Sequence, residues 1–324
     1  MNSLFKDISM RYFKFLIMLF ALAVPALAPA DASNIPASAT WYFHADFDAM
    51  REGKASRAVY DWLNAEVFEE IRGETGIDLH KEADRMTAFA AAGDGPVIVF
   101  DGNISTETQD KIIALAAAAS AGELQTLKSS GKAYYFFDNS NGSADRKSEK
   151  HGDNNFDIDM GSLDEEAYVS VAVKNKVLVT NTEKQMQALL ANNGKIDTAK
   201  VDKGALFVLR AERSLIQAGV NAAEMEAGNN WDSNILRNTK QVAVLLADLG
   251  EKLGFEAQLT TNEAAMASSL ASIVRGLISL QAFNDDLDPE VSAILQTAKV
   301  DVVGNVLKLV LALDPATVVA ALED

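Results

Sequence analysis

The sequence predicts an α+β fold, in which a duplicated unit of antiparallel sheet carries helices packed on one face. Three observations support this prediction. Strands with one apolar face come in pairs joined by short glycine-containing turns, which is typical of antiparallel hairpins. Amphipathic helical segments follow these hairpins, as expected for helices that cover one face of a sheet. The order of elements in the first half of the chain then recurs in the second half.

The first half opens with an alternating strand at residues 41–47, which leads into a helix that ends at Gly73 and Gly76. A hairpin follows, and Thr106 with Gln109 forms the capping box of the next helix. The remaining strands and the closing helix of this half are predicted at residues 133–137, 169–173, 177–179 and 183–191.

The second half repeats this order with strands at residues 206–211, 242–246, 255–259, 300–302 and 307–313. Thr260 with Glu263 forms a capping box, and Pro315 begins the last helix. The helix behind Thr260 has an apolar stripe, which we interpret as the contact of a core helix with its sheet, with a partner-binding helix as the alternative. The stripe consists of Met266, Leu270, Ile273, Val274, Leu277 and Ile278.

The repeat predicts two structural units, with residues 31–200 forming the first α+β repeat and residues 201–324 the second. The link at residues 192–204 is short and polar, so the units could share one core or form two lobes. Only the first repeat contains a polar insertion, residues 138–166, which has almost no apolar side chains. We expect this insertion to be a loop.

The N-terminal segment, residues 1–30, has the parts of a secretory signal peptide. Lys6, Arg11 and Lys14 precede an apolar run that is too short to span a bilayer, and small residues at Ala28 and Ala30 follow it. The chain contains no cysteine, so an exported form would have no disulfides. These features predict a bacterial protein that is periplasmic or secreted and has no stable membrane span after cleavage.

The net charge of −17 argues against nucleic acid as a partner, because phosphates are bound by clustered lysine and arginine. It argues equally against anionic membrane surfaces. Removal of residues 1–30 makes the chain more acidic still, since that segment holds three basic residues and one acidic residue.

The sequence contains no glycine-rich nucleotide-binding motif and no zinc-ligand spacing, so we expect no cofactor. His44 alternates with Trp41 and Phe43 and is expected to face solvent.

The insertion offers oxygen ligands for calcium at alternate positions. These are Asp153, Asn155, Asp157 and Asp159. Calcium loops place ligands in this alternating way around a turn glycine. The spacing to Gly161 nevertheless differs from that of an EF-hand, because Phe156 and Ile158 would occupy ligand positions. We therefore assign no metal site, and we keep a calcium-dependent surface protein as an alternative function.

Carboxylates suggest a second alternative, a carboxylate-dependent hydrolase. Asp46 or Asp48 could pair with Glu224 or Glu226 across a cleft, as the acid and base of glycosidases do. The acidic residues 285–290 lie between two helices, next to Pro289, where carboxylates commonly cap helices. No nucleophile elbow is present, and Ser129 to Lys132 is interpreted as a turn. No catalytic residue is therefore assigned.

One strand next to the insertion is rich in aromatic residues. It contains Tyr134, Tyr135, Phe136 and Phe137. Because side chains alternate between the two faces of a strand, one member of each pair should face outward. An exposed aromatic strip beside a loop would be a partner-binding edge.

The signal peptide, the strand–helix opening and the repeated hairpin-plus-helix units resemble a loose group of exported bacterial proteins of unknown function. The resemblance covers most of residues 39–324 in element order, and it supplies no functional residues. We expect a non-catalytic exported protein that binds a protein partner, or itself, through sheet edges and the insertion.

Overall fold

The computed structural model describes residues 39–91, 95–119, 124–138, 166–196, 205–213, 238–281 and 289–323. Within these ranges all strands belong to one sheet of twelve strands. In chain order the strands are β1 Ala39–Asp46, β2 Arg85–Ala91, β3 Val97–Asp101, β4 Gln125–Ser129, β5 Lys132–Asp138, β6 Glu166–Ser170, β7 Lys176–Thr180, β8 Ala205–Glu212, β9 Thr239–Asp248, β10 Leu253–Thr261, β11 Lys299–Val303 and β12 Val306–Leu313.

The helices lie between and after these strands. They are α1 Phe47–Glu52, α2 Ser56–Leu63, α3 Glu69–Thr75, α4 Leu79–Glu82, α5 Thr106–Ala119, α6 Glu183–Ala191, α7 Ala264–Gln281, α8 Pro289–Thr297 and α9 Pro315–Glu323. A π-helical turn, Asn64–Phe68, joins α2 to α3. The mixture of helices with an antiparallel sheet confirms the predicted α+β class.

The strand order is β11-β12-β10-β9-β8-β1-β2-β3-β7-β6-β5-β4, and the strand pairs are antiparallel. The first strands of the two halves, β1 and β8, pair with each other at the centre, where Phe43 lies opposite Leu209. The two halves therefore form one body with one continuous sheet. This answers the question that the short polar link left open.

The two halves arrange their strands in the same spatial order. From the centre outward, the first half runs β1-β2-β3-β7-β6 and the second runs β8-β9-β10-β12-β11. The first half has an additional hairpin, β5 and β4, at its outer end. This correspondence agrees with the order of elements read from the sequence. Duplication of one ancestral unit stays a prediction.

A shared core lies on the face of the sheet that bears Trp41 and Phe43, which we call the helix face. Phe47 of α1, Tyr60 of α2 and Leu322 of α9 pack there against strands of both halves. The ring of Phe43 meets that of Phe207 edge to face, with centroids 5.2 Å apart. The register of the strands shows that the strand residues against which α5 and α7 pack lie on this same face.

Helix α6 is the exception, because it packs on the opposite face. Its buried residues Met186, Leu189 and Leu190 contact Val99 of β3 and Leu178 of β7. A complete capping box starts this helix, in which Thr182 and Gln185 bond reciprocally. The two capping boxes predicted from the sequence, at Thr106 and Thr260, do not match the observed starts of their helices. Helix α5 begins at Thr106 and the hydroxyl of the preceding Ser105 accepts from the backbone, while α7 begins at Ala264, after Glu263.

Asp248 connects the two halves on the helix face. Its Oδ2 accepts from the backbone nitrogen and the hydroxyl of Ser56, at 2.7 and 2.8 Å, at the first turn of α2. Its Oδ1 accepts from Gly250 N at 2.6 Å. Burial alone would raise the pKa of Asp248, but these hydrogen bonds outweigh that effect and lower it. The carboxylate thus caps a first-half helix from a second-half strand.

We expect Asp248→Ala to lower the free energy of unfolding by about 1–2 kcal/mol, the effect of losing a helix cap. Asp301→Ala is the matched control, since Asp301 is exposed on β11 and should change stability by less than about 0.5 kcal/mol. Urea unfolding at pH 7 measures both values. Equal effects of the two substitutions would contradict the capping role.

Candidate functional site

Helix α7 has the most unusual surface in the described part of the chain. Its sequence of alanine, serine and aliphatic residues contains one charged side chain, Arg275. Three small or aliphatic residues, Ala267, Leu270 and Ala271, are buried against Val300 of β11 and against β12. These contacts hold the helix on the outer end of the sheet.

The other part of the apolar surface of α7 is exposed. Ile273, Leu277 and Leu280 are 57%, 56% and 68% exposed, and we call these three residues the α7 strip. Their spacing of four and three residues places them on one side of the helix. Single exposed aliphatic residues are common, whereas an aligned group marks an interaction surface. The α7 strip is therefore the leading candidate binding site.

The predicted role of this helix is thus only partly correct. The sequence indicated that the whole stripe, including Ile273 and Leu277, packs on the sheet. The sheet covers Leu270 and half-covers Val274 and Ile278, but it leaves Ile273 and Leu277 in solvent. The apolar arc is wider than the surface that one flat contact can cover.

By length and composition alone, α7 could also cross a membrane. Core helices of soluble proteins can have the same length and composition, so this property does not identify a span. In the structure one side of α7 is packed on the sheet through Leu270 and its neighbours.

Edge strand β11 lies beneath α7. The Nη2 atom of Arg275 donates to the carbonyl oxygen of Val300 at 2.6 Å, so the helix occupies one backbone acceptor of the strand. Such coverage limits pairing of an edge strand with other chains. Val303, at the end of β11, is 65% exposed, and its pairing with Val306 places it on the face opposite α7.

A second group of polar residues is buried on the opposite face of the central strands. The Nδ1 atom of His44 and the hydroxyl of Thr87 lie 2.9 Å apart, and the Tyr42 ring stacks near His44 with centroids separated by 6.5 Å. His44 is 8% exposed, so the expectation that it faces solvent is wrong. Both faces of β1 are buried, which alternation along one strand does not reveal.

Burial changes the titration of these groups. It lowers the pKa of His44, an effect that Arg85 reinforces and that Asp46 and Asp101 oppose. Burial also raises the pKa of the Tyr42 hydroxyl. Both residues are therefore neutral at pH 7. The hydrogen bond between His44 and Thr87 thus joins two uncharged groups within apolar surroundings.

We expect the fold to lose stability when the pH falls below about 6.5, the ordinary histidine value. The unfolded chain then binds a proton that native His44 resists, so the free energy of unfolding declines by up to about 1.4 kcal/mol per pH unit until the lowered pKa is reached. Urea unfolding between pH 7.5 and 5 measures this slope. His44→Gln should have a smaller slope than the unsubstituted chain, whatever its stability at pH 7.5. An unchanged slope would contradict the prediction.

A buried ion pair lies further along the same face. Lys308 Nζ is 2.9 Å from Glu256 Oε1, and Gln258 Nε2 donates to that same oxygen at 2.7 Å. The two charged side chains are 17% and 6% exposed. The three residues satisfy one another, so the cluster is a structural network rather than an open site.

Arg51 organises a third polar group, near the start of β2. Its guanidinium donates to the carbonyl oxygen of His80 at 2.8 Å and pairs with Asp84 and Asp48 at 2.9 and 3.1 Å. The hydroxyl of Tyr60 lies 2.9 Å from His80 Nδ1. These contacts tie α1, α2 and α4 to one another and to Asp84, the residue that precedes β2.

The carboxylates proposed for hydrolysis have structural partners where they are described. Asp46 caps α1 by accepting from Ala49 N at 2.9 Å and pairs with Arg85, and Asp48 pairs with Arg51. Glu224 and Glu226 lie outside the described residues. The proposed calcium ligands also lie outside them, and these are Asp153, Asn155, Asp157 and Asp159. Within the described ranges no three potential metal ligands cluster together.

The aromatic strand is β5, and it is an inner strand between β4 and β6. Tyr134 is buried, and its hydroxyl donates to Glu183 of α6 at 2.6 Å. Phe136 lies on the same face and packs on Tyr168, with ring centroids 5.0 Å apart. The hydrogen bond and the packing direct this pair toward α6.

The other aromatic pair, Tyr135 and Phe137, packs partly buried with the residues beneath α5. An outward-facing aromatic strip is therefore not formed, because a helix packs on each face of β5. None of the four is exposed, since Tyr134 is buried and the other three are half-buried. Partner binding by these four aromatic residues stays a prediction, and the structure gives it no exposed surface at Tyr134.

In the described residues, fold and site together define an α+β protein with one antiparallel sheet and an exposed apolar helix side. No protein-family model and no curated protein matches the chain. Solved structures that it resembles include crystal forms III, IV and I of TP0453, a bacterial (Treponema) protein of unknown function.

The three comparisons give 9% identity each and TM-scores of 0.45, 0.47 and 0.41. They cover 91%, 92% and 91% of this chain, and 98%, 98% and 96% of TP0453. This likeness is too low to assign the chain to a group of proteins. It carries no argument about activity, ligand or partner.

Proposed function

We propose that this chain is an exported, non-catalytic binding protein that docks the apolar surface of a protein partner on the α7 strip. The observation that supports the proposal is the alignment of Ile273, Leu277 and Leu280, each more than half exposed, on a helix fixed to the sheet. A partner that covers these side chains removes apolar surface from water, which is the usual source of protein association.

Site-specific photo-crosslinking in cells tests this proposal. Benzoylphenylalanine at Leu277 should form an adduct with a protein, whereas the same group at Ser268 should not. Ser268 is exposed on the same helix but lies about 140° around the axis from Ile273. Absence of an adduct at position 277, or equal adducts at both positions, would contradict docking on the strip.

Export is tested separately by mass spectrometry of the protein purified from cell fractions. We expect a mature chain that lacks about the first 30 residues and is found outside the cytoplasm, in keeping with the length of signal peptides. Recovery of the chain with Met1 still attached would contradict the export part of the proposal while leaving the docking part open to its own test.

A further inference from the structure

The α7 strip is free of charge in a strongly acidic chain. Arg275 is the one charged residue of α7, and it lies about 200° around the helix axis from Ile273, where it bonds to Val300. The whole chain has a net charge of −17, so two copies repel each other over most orientations. Contact through the strip brings no carboxylate of α7 against another.

The shape of the strip also restricts its partner. Ile273 and Leu280 are seven residues apart, so the strip is about 10 Å long and one side chain wide. Small exposed residues, Ser269 and Gly276, lie beside it and allow another helix to approach closely. A fitting partner therefore presents a short, uncharged, apolar helical ridge.

We propose that this partner is a second copy of the chain, so that two α7 helices pack antiparallel about a twofold axis near Leu277. The inference rests on the proposed docking function of the strip. A twofold interface uses the same patch on both copies, and the strip is itself a short, uncharged, apolar ridge. Ile273 then lies against Leu280 of the partner subunit, and the dipoles of the two helices oppose each other.

The small contact area sets the strength of this dimer. Three partly exposed aliphatic side chains per copy supply much less than the about 800 Å² per partner of a standard stable interface. The dimer is therefore weak and depends on concentration. A dilute sample should be monomeric, and a concentrated one should contain dimer.

The absence of cysteine from the sequence makes disulfide trapping a clean test. Helix axes that pack about 8–10 Å apart, with Cα atoms about 2.3 Å from each axis, place two facing Cα atoms about 3.4–5.4 Å apart, and the upper part of this range suits a disulfide. Disulfides join Cα atoms about 4.4–6.8 Å apart. Leu277→Cys should thus give at least about tenfold more covalent dimer under mild oxidation than Ser268→Cys, given this geometry. Equal yields would overturn the proposal.

Sedimentation velocity of the purified mature chain provides a second measurement. We expect the dimer fraction to rise with concentration, to be lost in Leu277→Glu and to be kept in Ser268→Glu, which adds the same charge elsewhere on α7. Circular dichroism confirms that both variants are folded. A chain that stays monomeric at all concentrations overturns self-association.

The results distinguish failure of this inference from failure of the proposed function. A monomeric chain whose position 277 crosslinks to a different protein contradicts self-association and supports docking. A monomeric chain that crosslinks to nothing contradicts both. Flotation with phosphatidylcholine vesicles that is lost in Leu277→Glu also contradicts both, because the strip would then contact lipid.

Discussion

Replacement of Gly102 by alanine is expected to lower the free energy of unfolding by about 3 kcal/mol or more, at or beyond the upper end for overpacked sites. A Cβ at this position would lie 1.9 Å from the carbonyl oxygen of Glu82 and 2.9 Å from Asp84 N. Both are backbone atoms, so no side-chain rotation relieves the overlap. Gly102 also donates to Asn175 O at 3.1 Å, which holds the end of β3 in place.

Gly73→Ala is the matched control for this substitution. A Cβ at Gly73 would have no atom within 4 Å, and the residue is exposed in α3. Alanine there should raise stability by up to about 1 kcal/mol, because it is the better helix former. Urea unfolding of both variants measures the two effects. A loss below about 1 kcal/mol at Gly102 would contradict the close backbone packing.

The predicted fold class followed from local signals, and these signals were mostly reliable. Hairpins at Gly250 and Gly304 and a turn at Asn175 have the positive φ angles that such turns require. Ser130 and Gly131 likewise form the turn between β4 and β5, which confirms the interpretation of Ser129 to Lys132 as a turn. Glycine and asparagine adopt positive φ angles more readily than other residues, so turns built on them can be recognised in the sequence.

Strand β4 was not predicted because its sequence lacks the usual pattern. Leu127 is its one aliphatic residue, and the strand pairs with β5 alone, at the edge of the sheet. Edge strands bury little, so little apolar alternation is required of them. The pairing of β1 with β8 could not be predicted from the sequence either, because it joins residues more than 160 positions apart and has no local sequence pattern.

The candidate site shows the same limit of sequence reasoning. Helical periodicity identifies the apolar arc of α7, but it does not say how much of that arc the sheet covers. Ile273 and Leu270 look equivalent in the sequence, yet the first is 57% exposed and the second is buried. The width of the apolar arc is the sequence feature that could predict this exposure. An apolar stripe that spans about half of the helix circumference is wider than the surface that one sheet can cover.

Lys308→Met is expected to cost about 3–5 kcal/mol, the usual effect of leaving one member of a buried ion pair without its partner. Glu256 is 6% exposed and lies on β10, between β9 and β12. In the variant its carboxylate keeps the hydrogen bond from Gln258 but loses the nearby positive charge. The cost arises from the uncompensated charge and not from the lost aliphatic chain, which methionine replaces.

This explanation makes a second, opposite prediction for the double variant Glu256→Gln/Lys308→Met. Removal of both charges removes the uncompensated carboxylate, so the double variant should be more stable than Lys308→Met alone by about 2 kcal/mol or more. Urea unfolding at pH 7 of the two single variants and the double variant measures the coupling. If the two substitutions are additive, the pair contributes no electrostatic interaction and Lys308 acts only through packing.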